Sequence, residues 1–165
     1  MALLEPENTI RLQSVRSAKL VRSLDEKLAG MNARGIDAKD AIRRVNALLG
    51  QYAPAFGFLD KKQAYLAALS AGCGLTILYP RPRILKFSEQ SVCNPEFAPL
   101  IVKFDEVHQL IAKCRFAALI SEGEYHKQIR GLEGSMFYAC SRVFKKALSE
   151  RDGGNPTSQP QKVEP

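Results

Sequence analysis

Tryptophan is absent from this chain, histidine occurs twice and cysteine four times, and these shortages narrow the chemistry available to it. Cys73, Cys93, Cys114 and Cys140 form no Cys-x-x-Cys pair and have no histidine at ligand spacing, so reduced core thiols are expected rather than a zinc module. His108 and His126 lie far apart with no motif around them, and adjacent acids such as Asp25-Glu26 and Asp105-Glu106 diverge on a helix. No nucleophile elbow, zinc helix or dinucleotide fingerprint can be quoted, and Gly72-Cys73-Gly74 lacks the length and lysine of a phosphate loop. The expectation is a protein that is not an enzyme and holds no cofactor or metal. No apolar run is long enough for a membrane span, and Glu5 and Glu7 precede the first cation, unlike a signal peptide. A cytoplasmic protein without a membrane partner is expected.

Acid is also missing from one long stretch, Asn8 through Leu24, while the whole chain carries a net charge of +7. The excess of base lies in residues 1 to 93, and the second half is nearly balanced. A basic surface suits a polyanion, and nucleic acid is the common one in the cytoplasm. Solubility alone would explain the charge equally well.

Most apolar residues repeat at helical spacing. Leu20, Val21, Leu24, Leu28 and Met31 define one helix over about 15–33, with Arg11, Arg16, Lys19 and Arg22 on its opposite side if it begins early. Thr9 to Leu12 reads as either a brief strand or the lead into that helix. Asn32 to Gly35 is a turn, Asp37 caps a second helix through Ile42, Val45, Leu48, Leu49 and Tyr52, and Asp60 opens a third with Tyr65, Leu66 and Leu69. Leu75 to Ser88 is the good strand candidate, rich in β-branched and aromatic residues. It carries Arg81, Arg83 and Lys86 and no acid. Pro80 and Pro82 remove ladder donors, which makes this strand an edge, a hairpin tip or a partly paired ribbon.

Asn94-Pro95 then starts a long helix with Phe97, Leu100, Ile101, Phe104, Val107, Ile111, Cys114 and Ala118 on one face. Ser121 and Glu124 form a capping box for a last helix whose stripe runs through Tyr125, Ile129, Leu132, Met136, Cys140, Val143 and Ala147, widened by Phe137 and Phe144. So broad a stripe suggests a second chain against it, although core packing also accounts for it. The expected architecture is mainly α: a helical region over 1–74, a strand-helix-helix region over 75–150, and a disordered tail over 151–165, the first two forming one compact domain.

The motif order in the second half is similar to that of a known family. Ile84-Leu85-Lys86-Phe87, Asn94-Pro95-Glu96-Phe97 with Leu100, Phe104-Asp105-Glu106, Ala118-Leu119-Ile120-Ser121 and Arg142-Val143-Phe144 resemble the AcaB-type regulators of conjugative plasmids and integrating conjugative elements of Gram-negative bacteria. The resemblance covers a little under half the chain and implies a DNA-binding activator of conjugative transfer genes. Strand, helix, helix is also the order of ribbon-helix-helix proteins, in which two chains pair strands and the ribbon enters the major groove. Both helices here look longer than the usual pair, and the prolines leave a hairpin wing open.

The expected partners are double-stranded DNA, a second copy of the chain and the transcription machinery. Arg81 and Arg83 are the candidate base readers, because arginine bonds guanine bidentately; Lys86, Arg11, Arg16, Lys19 and Arg22 are candidates for phosphate. Arg43 and Arg44 come second. Three other readings stay open: charged residues that shield an exposed strand edge, a helical interaction module of the conjugation system that touches no DNA, and an RNA-binding or antitoxin-like basic protein, since nothing in the sequence separates DNA from RNA.

Overall fold

The computed structural model describes residues 7–32 and 35–149; most of the N-terminal arm and the expected tail lie outside the described residues. The elements run β1 (Thr9–Leu12), α1 (Val15–Met31), α2 (Ala38–Leu48), a 3-10 turn (Ala53–Phe56), α3 (Gly57–Leu69), β2 (Arg83–Lys86), α4 (Ala98–Phe116) and α5 (Glu122–Ser149). The fold is mainly helical with one two-stranded antiparallel ribbon and two long helices after it, as the sequence predicts.

Several boundaries follow from local chemistry. Ser14 caps α1, its side chain accepting from the Arg16 N–H at 3.2 Å, and Asp37 caps α2 through the Asp40 N–H at 2.9 Å. Asn94 accepts from the backbone N–H groups of Glu96 and Phe97 at 3.0 and 3.1 Å, but these bonds close a turn over residues 95–97 rather than capping the helix: α4 begins only at Ala98, behind Phe97, and Pro99, not Pro95, lies in its first turn. Ser121 accepts from the Glu124 N–H at 3.1 Å, while the Glu124 side chain accepts from Gln128. That is one side of the expected capping box. At the end of α4, Leu119 N–H reaches Cys114 C=O and Ala118 N–H reaches Arg115 C=O, both at 2.9 Å. This is a Schellman closure with Ala118, at φ 58°, where glycine is usual.

The expected third helix is corrected at its start. Asp60 does not open it: the 3-10 turn feeds directly into α3 at Gly57, so Phe58 and Leu59 are already helical. Tyr65, placed with the apolar residues by spacing, is 60% exposed.

One buried cluster draws on both the N-terminal and the C-terminal regions. α5 contributes Ile129, Leu132, Met136, Ala139, Cys140, Val143, Phe144 and Ala147, and packs against α1, α2, α4 and the 3-10 turn. The chain's own helices thus cover the broad stripe, which removes that argument for a second chain. Cys93, Cys114 and Cys140 are buried free thiols; burial pushes Cys93 up to about 11 and Cys140 up to about 12, so neither is a reactive thiolate at neutral pH.

Two carboxylates, Asp105 buried and Asp25 half-buried, tie the layers together. Asp105 on α4 accepts from the backbone N–H groups of Gln13 and Ser14, each at 2.9 Å, from Ser17 Oγ at 2.7 Å and from Gln109 Nε2 at 3.0 Å. It therefore holds the junction where β1 becomes α1, with its charge at the positive end of a helix. Asp25 on α1 accepts from Ser91 Oγ at 2.7 Å and Val92 N–H at 2.8 Å, fixing the loop that leads into α4. Burial raises its pKa, and those two hydrogen bonds oppose the rise.

Candidate nucleic-acid interface

The ribbon joins segments remote in sequence. Thr9 faces Lys86, Ile10 faces Leu85, Arg11 faces Ile84 and Leu12 faces Arg83. Phe87 N–H donates to Asn8 C=O at 2.7 Å, so the hydrogen-bonded pairs alternate from there. Ile10 and Leu12 are buried and the opposite side is exposed, which orients the ribbon: residues 10, 12 and 85 face the core, while Thr9, Arg11, Ile84 and Lys86 face out. β1 settles the open choice at Thr9 to Leu12 in favour of a strand.

This register redistributes the expected site. Arg11 does not continue the basic stripe of α1, because the helix begins at Val15; it lies instead on the outer face of the ribbon, diagonal to Lys86, with Ile84 beside it at 53% exposure. Arg83 starts β2 on the other face, opposite Leu12, yet is exposed because the ribbon ends there. Arg81 is exposed in the bend before it. Arg81 and Arg83 thus flank the end of the ribbon rather than forming its outer surface.

The cations of α1 fall into two groups. Arg16 bonds Glu133 on α5 at 2.8 Å, so part of its charge is committed within the chain. Lys19 lines a shallow groove between α1 and α5 with Leu20, Ser23, Glu133 and Phe137, and Arg22 is exposed. On α2, Arg43 pairs with Asp40, and Lys39 pairs with Glu89 at 3.0 Å. Neither histidine sits with these groups on the ribbon. His108 is buried on α4, its pKa lowered by burial and by the nearby Arg16 charge, and His126 pairs with Glu122 at 3.3 Å.

The long strand expected over 75–88 is cut to four residues. From Thr76 to Tyr79 the chain is outside any ladder, laid over α3 and α4, with Ile77 and Tyr79 half-buried and Leu78 85% exposed. Pro80 and Pro82 explain the break, since neither can donate to a neighbouring strand.

No family profile matches the chain, and no curated protein matches it in sequence. Among solved structures the arrangement has a counterpart. The fold is similar to that of AcaB. The crystal structure of selenomethionine-containing AcaB from uropathogenic E. coli superposes with a TM-score of 0.58 at 17% identity, over 84% of this chain and 78% of that one. The motifs quoted above cover less than half the chain, so the likeness to AcaB reaches into the N-terminal region as well.

Sequence reasoning missed the pairing of β1 with β2 and the Asp105 junction. The alternation of Ile10 and Leu12 with polar residues was a signal for the first, though four residues carry little of it. For the second, Phe104-Asp105-Glu106 showed an acid on the apolar side of α4, and a buried acid at such a position needs donors.

Proposed function

We propose that this protein is a transcriptional regulator of the AcaB family that binds double-stranded DNA as a homodimer in the cytoplasm and activates conjugative transfer genes. One observation carries the reading: an exposed ribbon face with Arg11, Ile84 and Lys86, and Arg81 and Arg83 at its end, on a fold similar to AcaB. A two-stranded ribbon fits the major groove, where arginine reads guanine and an aliphatic side chain packs on the thymine methyl. The ribbon here is made within one chain, so each protomer would bring a complete reader. A second copy would then pair along Leu75 to Tyr79, which is uncharged and outside any ladder, or dock elsewhere, and place two readers on a two-fold site.

The test is a mobility-shift titration against promoter fragments from the protein's own element and a scrambled duplex, at two salt concentrations. Preference for a promoter fragment that persists at higher salt is expected. Arg81→Ala should weaken the preferred site by about 1–3 kcal/mol and relax specificity, whereas Lys19→Ala should weaken all duplexes alike. Equal losses on both duplexes for both variants would refute the reader assignment. The exposed, unladdered Leu75 to Tyr79 segment favours one other reading, a protein-interaction module without DNA contact. No shift at low salt, together with salt-insensitive association of the protein, would select it.

A further inference from the structure

The outward face of α5 carries a longer acid-free run of cations than the start of α1 does. On a helix of 3.6 residues per turn, Lys127, Arg130, Gly131, Gly134, Tyr138, Arg142 and Lys145 fall within an arc of roughly 120°. All are exposed. Several cations on α2 and α4 are paired with acids: Arg43 with Asp40, Lys103 with Asp60, Arg115 with Glu122. Between Tyr125 and Ser149 the single acid is Glu133, and it is turned to the side of α5, bonded to Arg16 at 2.8 Å. Lys127, Arg130, Arg142 and Lys145 thus present positive charge over about 27 Å of helix with no acid in the arc.

The centre of this face is bare. A Cβ at Gly134 would meet nothing within 4 Å, and one at Gly131 would meet the Lys62 Nζ at 3.8 Å. Both glycines weaken the helix relative to alanine, and no packing within the chain calls for them. Tyr138, 67% exposed, stands beside the gap, and the Arg142 guanidinium lies between the rings of Tyr52 and Tyr138, at 5.9 and 6.0 Å from their centroids. Two cations at one end, a tyrosine hydroxyl and two cations at the other, and open backbone between them complement a polyanionic strand that must come close to the helix.

We propose that this face of α5 is a second nucleic-acid contact, which takes the sugar-phosphate backbone and reads no sequence. The inference rests on the DNA-binding reading above and adds a surface to it. Phosphate takes bonds from Lys127, Arg130, Arg142, Lys145 and the Tyr138 hydroxyl, and the glycines admit the strand. The Arg16–Glu133 ion pair joins the side of α5 next to this face to the start of α1, which follows directly on β1.

The experiment measures binding of the full-length protein to a 30-base-pair promoter duplex and to a random duplex as a function of salt. Arg130→Gln should lower the slope of log K against log salt by about 0.9 on both duplexes, the signature of one lost phosphate contact. Lys61→Gln, the same charge change on the exposed face of α3, should leave the slope unchanged. Gly134→Leu keeps every charge and improves helix propensity, so it should fold and still lose at least tenfold in affinity by blocking the approach. Unchanged binding for Arg130→Gln and Gly134→Leu in a protein that does bind duplex overturns this inference and leaves the ribbon reading standing. Failure of the unaltered protein to bind either duplex overturns both. Arg130→Gln and Lys61→Gln lowering the slope equally also overturns it, because general charge would then account for the effect.

Discussion

Replacing Asp105 with alanine should be among the most damaging single changes in this protein. The carboxylate satisfies four donors, and two of them, the Ser14 N–H and the Ser17 hydroxyl, are buried. Each buried donor left without a partner costs about 1–3 kcal/mol. The Gln13 N–H and the Gln109 amide are nearer solvent and can turn to water, at about 0.5–1 kcal/mol each. Allowing for non-additivity in one network, the loss is about 3–5 kcal/mol. With a urea m-value of about 2 kcal/mol/M the unfolding midpoint should fall by about 2 M. Asp105→Asn should lie between the two: both buried donors use Oδ1, which an amide oxygen can replace, while an NH2 group would face Gln13 and Gln109. Gln109→Ala should cost under about 1 kcal/mol. Urea unfolding followed by circular dichroism measures all three. A midpoint for Asp105→Ala within about 0.5 M of the unaltered protein would refute the argument that this carboxylate holds the β1–α1 junction.

Two further changes test local reasoning. Ala118→Gly should stabilise the fold by about 0.5–1 kcal/mol, since glycine adopts the left-handed conformation that alanine holds there at a cost; a thermal midpoint raised by about 2 °C is the expected reading, and a lowered one would count against the Schellman assignment. His108 makes stability depend on pH: its folded pKa lies below 6.5, so the unfolded chain takes up a proton first as pH falls, and stability present above about 6.5 is lost below it. From pH 7.5 to 5.5 the unaltered protein should lose up to about 1 kcal/mol more than His108→Gln, and equal losses would show that this histidine is not held neutral by its surroundings.

The helices were legible because their signals are local and redundant. Ser121 caps, and the three-four spacing of Phe97, Ile101, Phe104, Ile111 and Cys114 names residues that are all buried, Phe97 just before α4 and the rest within it, whereas Asn94-Pro95 marks the turn ahead of the helix and not its first residue. The ribbon was legible only in part. A four-residue strand such as Thr9–Leu12 has too little pattern to separate from a helix lead-in, and its partner lies beyond three intervening helices. The long strand was overestimated for the converse reason. Leu75 to Ser88 has strand-like composition throughout, but composition cannot supply a neighbour, and the two prolines confine pairing to Arg83–Lys86. Among the cations, exposure was predictable; the face each one takes was not, because it depends on the pairing register of β1 with β2.

The residues that carry the likeness to AcaB-type proteins act mostly as structural fasteners. Asn94 closes the turn before α4, Asp105 holds the β1–α1 junction, Ala118 to Ser121 closes α4 and opens α5, and Ile84 to Phe87 supplies the ladder partners of β1. Of the cations facing solvent on the ribbon and around it, only Lys86 lies inside one of those motifs; Arg11, Arg81 and Arg83 lie outside. Scaffold and exposed cations are therefore separable in this sequence. The likeness to AcaB, at 17% identity, is one of fold, and the exposed cations at the end of the ribbon stand at positions the motifs do not include. If this protein binds an operator, exchanging Arg11, Arg81 and Arg83 should alter which duplex it prefers without lowering its unfolding midpoint, whereas exchanging Asn94 or Asp105 should lower the midpoint and weaken all duplexes together.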